Sequence, residues 1–175
     1  MGIKDNRREY DYGTLSRENL RTNPFEQFSL WMDQALEAGI IDPTAMSVAT
    51  VDPEGKPWQR MVLLMGLDER GVVFYTNLWS RKASDITSNP QVSLQFPWLQ
   101  LDRQVIVSGM AERLADNENS DYFKSRPISS QLAAWASEQS SPIASREMLE
   151  AQFKAVQQRF ESGEIPLPEF WGGYR

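Results

Sequence analysis

The stretch from Ala45 to Leu114 constrains the fold most, because strand-like segments follow one another there with little but turn residues between them. AMSVATV at 45–51, a turn at Asp52-Pro53-Glu54-Gly55 and WQRMVLLM at 58–65 read as a hairpin. Asp68-Glu69-Arg70-Gly71 turns the chain again, into a third strand at 72–76. The one interruption is a short polar helix that opens at Ser80 and stops at Asn89-Pro90. QVSLQF at 91–96 and RQVIVSGMAERL at 103–114 then return to strand patterning. Beyond Asp116 the pattern is helical, over 116–125 with a stop at Arg126-Pro127, over 128–137, and longest over 145–162. Five or so strands followed by helices predict an α+β fold, a closed or strongly curled antiparallel sheet with flanking helices.

The ends of the chain read differently. Asn23 and Pro24 are the N-cap and first residue of a helix that Gly39 terminates, with Phe25, Phe28, Met32, Ala35 and Leu36 on its buried face. Residues 1–22 are polar, carry Arg7, Arg8, Arg17 and Arg21 among acidic neighbours, and read as a mobile arm, which leaves 23–175 as a single domain. The final IPLPEFWGGYR is extended by its prolines, and Phe170, Trp171 and Tyr174 have nothing after them to pack against.

Composition narrows the chemistry. With 18 Lys and Arg against 24 Asp and Glu, the net charge of −6 argues against general nucleic-acid binding, which needs cations to displace counterions. The absence of Cys removes disulfides, thiolate nucleophiles and Cys-ligated metals, and the absence of His removes a Ser-His-Asp relay and His-ligated metals. Chemistry then falls to carboxylates, Lys, Arg and Tyr, or to a bound cofactor. The opening MGIKDNRREY has no apolar signal core and no run approaches the ~18 apolar residues of a membrane span, so the expectation is a cytoplasmic protein without membrane partners.

The sharpest local signal is Ser80-Arg81-Lys82 at a helix start, where free N–H groups already favour an anion. By themselves these residues fit a solvated basic pair equally well. Arg60 shifts the balance towards a phosphate site: it lies among Met61, Val62, Leu63 and Leu64, where an unpaired charge is costly. Pairing of 58–65 with 72–76 would bring it towards Thr76, Arg81 and Lys82, with an internal salt bridge as the other reading. Gln104 on an apolar strand and Gln139-Ser140-Ser141 after Trp135 suit the edge of a flat heteroaromatic ring, or else a plain loop and cap. Trp98 and Trp135 read as core. Tyr122 and Arg126, four apart, are a second anion site or an exposed helix pair.

Taken together, RREY at 7–10, DPTAM at 42–46, RMVLL at 60–64, FYTN at 74–77, SRKA at 80–83, FPW at 96–98, RQV at 103–105, SRP at 125–127, SQ at 130–131, QSS at 139–141 and PLPEFWGGYR at 166–175 resemble the pyridoxine (pyridoxamine) 5′-phosphate oxidase family over essentially the whole chain. The resemblance implies an FMN-binding split β-barrel and a homodimer with the FMN at its interface. It also implies an oxidase of pyridoxine or pyridoxamine 5′-phosphate that uses dioxygen. It implies that Arg60, Met61, Val62, Leu63, Leu64, Tyr75, Thr76, Arg81, Lys82, Gln104, Gln139 and Ser140 contact FMN, with Arg60, Arg81 and Lys82 on its phosphate. Tyr122, Arg126 and Ser130 match the family's substrate-phosphate positions, and Arg7, Arg8, Glu9 and Tyr10 the segment that folds over the substrate.

Two departures stand out. The residue after RMVLL, a Lys reaching the substrate phosphate in the family, is Met65 here. The family also continues past the WGGYR point with a Trp, an Arg-x-His pair and a further Arg, and the unpartnered terminal aromatics favour a truncated chain. A non-catalytic FMN- or pyridoxal-phosphate-binding relative, or an FMN reductase with another substrate, are the alternatives.

Overall fold

The computed structural model describes residues 2–5, 7–161 and 163–175. Helix α1 spans Pro24–Glu37, with the Asn23 side chain accepting from the Phe25 N–H at its start and Gly39 in the left-handed region (φ 67°) past its end. Its buried side is Gln27, Phe28 and Ala35, while Leu36, expected on that side, is exposed.

The strands are β1 (Ala45–Val51), β2 (Pro57–Leu63), β3 (Gly66–Asp68), β4 (Gly71–Asn77), β5 (Gln91–Trp98), β6 (Arg103–Met110) and β7 (Trp171–Tyr174). Helix α2 (Arg81–Ser88) lies between β4 and β5, and α3 (Asp116–Ser125), α4 (Ile128–Ala136) and α5 (Arg146–Arg159) precede β7. The expected end of the last helix at residue 162 lies outside the described residues; α5 itself stops at Arg159.

One antiparallel sheet runs β2-β1-β5-β6 and a second runs β3-β4-β7. The two join at both sides. Residues 112–114, just past β6, bond to β7, with Glu112 N–H donating to Arg175 C=O at 2.8 Å and Leu114 N–H to Gly173 C=O at 3.0 Å. On the other side β2 runs on towards β3, and Met65 N–H donates to Val73 C=O at 2.8 Å. The result is a split barrel in an α+β fold. Pleating puts alternate residues inside: Met46, Val48 and Thr50 of β1 are buried against Phe74, Leu94 and Phe96. Phe28 of α1 closes one end on Phe96, at 4.9 Å between ring centres.

Strand β7 corrects the reading of the chain's last aromatics as unpartnered, while the extended conformation is as expected. Tyr174 is buried against Phe74 at 5.7 Å, Trp171 against Tyr75 at 5.0 Å, and Phe170 packs on Trp79 at 4.8 Å. Earlier parts of the same chain thus cover these aromatics. The buried Asn119 of α3 ties the strand down, accepting from Gly173 N–H at 2.8 Å and donating to Leu114 C=O at 3.2 Å. Among the described residues no helix is long and apolar enough to cross a membrane.

Candidate functional site

A cavity of about 610 Å3 opens beside the β2 edge of the larger sheet, within the ~300–1,000 Å3 range of small-molecule sites. Strand β2 supplies Arg60, Met61, Val62 and Leu63, and Met65 follows it. Tyr75 and Thr76 come from β4, Arg81 and Lys82 from the start of α2. Tyr122 and Arg126 come from α3 and its C-cap, and Gln139 and Ser140 from the loop after α4. The route differs from the expected one. The ladder partner of β2 is β1, with Arg60 opposite Val48, whereas β4 pairs with β3 and β7. Arg60 meets Arg81 and Lys82 because barrel curvature brings α2 across the inner side of β1 and β2.

One end of the cavity is cationic. Arg60 donates to Thr50 Oγ1 at 2.7 Å and lies 3.6 Å from the Asp85 carboxylate, so the internal salt bridge is real and coexists with a place in the cavity wall. Arg81 donates to Asp52 at 2.9 Å and stacks on the Trp58 ring at 3.7 Å. Lys82 is buried, with Nζ donating to Gln139 Oε1 at 2.6 Å, Thr76 Oγ1 at 2.9 Å and Ser80 Oγ at 3.2 Å. Burial, then the neighbouring Arg60 charge, push its pKa down to about 8. None of these three Lys82 acceptors is a carboxylate, so an anion here would add charge compensation that the fold withholds.

The opposite wall is aromatic. Tyr75 stacks on Tyr122 at 4.0 Å and 15°, and on Trp171 at 5.0 Å and 8°. Tyr75 lies opposite Gly173, where an added Cβ would come within 2.8 Å of the tyrosine ring, so glycine is what allows the ring to lie on the β7 backbone. Beside this wall Arg126 sits 4.8 Å over the Trp171 ring, and its buried Nη1 has no hydrogen-bond partner. A buried guanidinium donor is costly to leave unpaired, and burial lowers the Arg126 pKa, so this atom fits a site for a second anion.

The structure does not gather every expected residue. Leu64 packs against the barrel core instead of the cavity. Ser130 stands in the first turn of α4, away from the lining. Gln104 lies on the outer face of β6, accepting from Gln95 Nε2 at 2.8 Å, on the sheet edge opposite β2. The RREY segment rests elsewhere. Arg8 pairs with Asp102 and donates to Leu99 C=O at 2.6 Å, while Arg7, Glu9 and Tyr10 are exposed. Trp98 is core, as expected, and Trp135 is half-buried against the second hydrophobic cluster. Trp58 and Trp171 line the cavity without having been read as site residues, and Asp52, read as a turn residue, anchors Arg81. The Asp52 turn was legible, but its contact with a helix 29 residues on was not.

The lining therefore offers cations, amides, hydroxyls and aromatic faces, a surface suited to a flat molecule with anionic ends. Among the described residues no group of three or more metal-ligating side chains occurs.

A sequence profile described as pyridoxamine 5′-phosphate oxidase matches residues 32–160. The chain is 55% identical over 175 residues to the pyridoxine/pyridoxamine 5′-phosphate oxidase of Vibrio cholerae serotype O1 (strain M66-2), covering 100% of the chain and 83% of that protein. It is 56% identical over 173 residues to the Serratia proteamaculans protein of that name, covering 99% of the chain and 80% of that protein. Among solved structures it resembles PhzG from Burkholderia lata 383 in complex with tetrahydrophenazine-1-carboxylic acid, with a TM-score of 0.86, 27% identity, and coverage of 93% of this chain and 80% of that one. It also resembles a pyridoxamine 5′-phosphate oxidase-related, FMN-binding protein from Nostoc punctiforme PCC 73102, at TM-score 0.65 and 15% identity over 89% of this chain and 80% of that one, a likeness of fold alone.

Proposed function

Because the chain belongs to the pyridoxamine 5′-phosphate oxidase family, we propose that it is an FMN-dependent oxidase that converts pyridoxine or pyridoxamine 5′-phosphate to pyridoxal 5′-phosphate with dioxygen as acceptor. The observation that carries the reading is the cavity itself, with a cationic cluster at one end, an unpartnered guanidinium atom near the other, and stacked aromatics between. Bound FMN would supply a two-electron acceptor that dioxygen can reoxidise with release of hydrogen peroxide, which explains why a chain without His or Cys can carry out the reaction.

The protein's part is binding and orientation. Arg60, Arg81 and Lys82 would hold the FMN phosphate, with Thr76, Gln139 and Ser140 beside it. Met61, Val62, Leu63 and Tyr75 would bound the flavin. Arg126, with the Tyr122 hydroxyl nearby, would take the substrate phosphate, and Ser130 and the segment Arg7, Arg8, Glu9 and Tyr10 would join it on closure. Purified protein should take up FMN with quenching of flavin fluorescence, bind riboflavin much more weakly, and release peroxide on addition of pyridoxine 5′-phosphate. Equal affinity for FMN and riboflavin would remove the phosphate assignment, and an FMN-loaded protein that releases no peroxide would remove the oxidase.

A different oxidisable ring is the second reading. Met65 places no cation beside Arg126 in the described lining at the substrate end, and the PhzG structure is of a complex with a carboxylated ring. Turnover of pyridoxine 5′-phosphate decides between them.

The functional unit we propose is a homodimer. On the outer face of the larger sheet, Met61, Ser47, Gln95 and Ile106 form one cross-strand row, with Leu63 and Met110 also exposed on that face. Small residues at Ala45, Ser47, Ala49 and Ser93 keep its centre flat, which suits packing against a second copy. Gln104, at the far edge of the same face, would then approach the partner's cavity, and Leu64 would act through its backbone. Sedimentation at micromolar concentration should show a species of about twice 20.1 kDa. A 20 kDa species with FMN bound would count against the dimer.

A further inference from the structure

We propose that Asp52 and Asp85 are positioning residues of the cationic cradle, Asp52 acting through Arg81 and Asp85 through Thr50 and Arg60. The proposal rests on the reading of that cradle as the FMN phosphate site. Carboxylates beside an anion site pose a physical conflict, since each repels the ligand that the cations attract. Geometry decides which effect prevails.

Asp52 is buried and fully engaged. Its Oδ1 accepts from the N–H groups of Glu54 at 3.1 Å and Lys56 at 2.8 Å, and its Oδ2 accepts from Trp58 Nε1 and Arg81 Nη2, both at 2.9 Å. The Trp58 hydrogen bond, then the Lys56 N–H, hold the Asp52 carboxyl below its usual pKa. Arg81 is thereby fixed twice, by one nitrogen on Asp52 and by its flat face on Trp58 at 3.7 Å. Its Nε also pairs with Asp85 Oδ1 at 4.0 Å, and the residue lines the cavity.

Asp85 stands on α2, almost wholly buried, and accepts from Thr50 Oγ1 at 2.6 Å. That hydroxyl in turn accepts from Arg60 Nη1 at 2.7 Å, while Arg60 Nη2 lies 3.6 Å from the carboxylate. The order is consistent, because the hydroxyl has one proton to give to the carboxylate and a lone pair for the guanidinium. Two long, rotamer-rich side chains are thus ordered before any ligand arrives, which removes that cost from binding. The two carboxylates also offset two of the three cradle cations, so the empty cradle tolerates like charges that would otherwise repel.

The test is titration with FMN and with riboflavin, read by flavin fluorescence, of the wild type, Asp52→Asn, Asp85→Asn and Thr50→Val. Wild type should prefer FMN. Each variant should lose about 10-fold or more in FMN affinity while riboflavin affinity stays unchanged. In an Arg81→Met background, Asp52→Asn should have little further effect, because the residue it acts through is gone. Unchanged or tighter FMN binding in the variants would mean that the carboxylates only repel the ligand, and would overturn the proposal. Parallel weakening of FMN and riboflavin would overturn it as well, by showing a merely structural role. A wild type that binds both flavins alike would instead defeat the cradle reading beneath it.

Discussion

Replacing Lys82 by Met should weaken FMN binding by about 10- to 100-fold and leave riboflavin binding nearly unchanged. A charge-assisted hydrogen bond to an anion contributes roughly 1.5–3 kcal/mol, and Lys82 has Thr76, Ser80 and Gln139 to aim it but no carboxylate to neutralise it. The same residue makes binding pH-dependent. Its folded pKa of about 8 lies below the ordinary 10.5, because burial and Arg60 oppose the charge. A bound phosphate favours the protonated form, so the complex holds more protons than the free protein above about pH 8, and FMN affinity should fall as pH rises through that value.

Stability of the flavin-free protein should move the other way. Folding lowers this pKa, so the folded chain binds fewer protons than the unfolded chain from about pH 8 upward, and stability rises with pH until tyrosine ionisation takes over near ~10. Tyr75 and Tyr174 are raised by burial, so above that point the folded chain holds protons that the unfolded chain has lost, and stability falls with pH. Chemical denaturation and FMN titration between pH 7 and about 9.5 check both slopes. An affinity that is flat across pH 8, or a Lys82→Met protein with wild-type FMN binding, would show that the ammonium faces no phosphate.

At the substrate end the large effect belongs to Arg126. Arg126→Met should raise the Michaelis constant for pyridoxine 5′-phosphate by about 10- to 100-fold, since Nη1 is buried with no other acceptor to serve. FMN affinity should hardly change. The reverse substitution at the neighbouring position tests the same geometry. Met65 sits against the Tyr122 hydroxyl and offers only packing and a weak sulfur acceptor. Met65→Lys should lower that Michaelis constant about 10-fold, again with FMN affinity unchanged. If Arg126→Met leaves the constant alone, the orphan donor serves something other than substrate. If Met65→Lys disturbs FMN or folding instead, position 65 belongs to the barrel and not to the substrate end.

Much of the fold was legible because its signals are local. Asn23-Pro24 and Gly39 bracket α1 through cap chemistry that needs no partner. The turns at Asp52–Gly55 and Asp68–Gly71 separate strands whose alternation sends Arg60 and Val62 inward and Met61 and Leu63 outward. The cations of the cradle were legible for the same kind of reason, as charges placed where sequence neighbours cannot compensate them.

What failed to show was non-local. A four-residue strand of Trp, Gly, Gly and Tyr has no period to read, and β7 exists only because Phe74, Tyr75 and Asn119 wait for it. Leu36 has helical spacing but faces solvent.

The amino-acid sequence by itself determined the order of the longer strands and helices, the α+β class, the cationic positions Arg60, Arg81 and Lys82, and the family. All of these follow from short-range chemistry or from motifs in order along the chain. Only the tertiary structure decided that β4 pairs with β3 and β7 and not with β2, that Asp85 and Thr50 brace Arg60, that Tyr122 and Trp171 both stack on Tyr75, and that Gln104 lies a sheet's width from the cavity. The reason is barrel closure, which sets residues 30 to 100 positions apart in contact through curvature and register, and neither quantity is written in any local stretch of the chain.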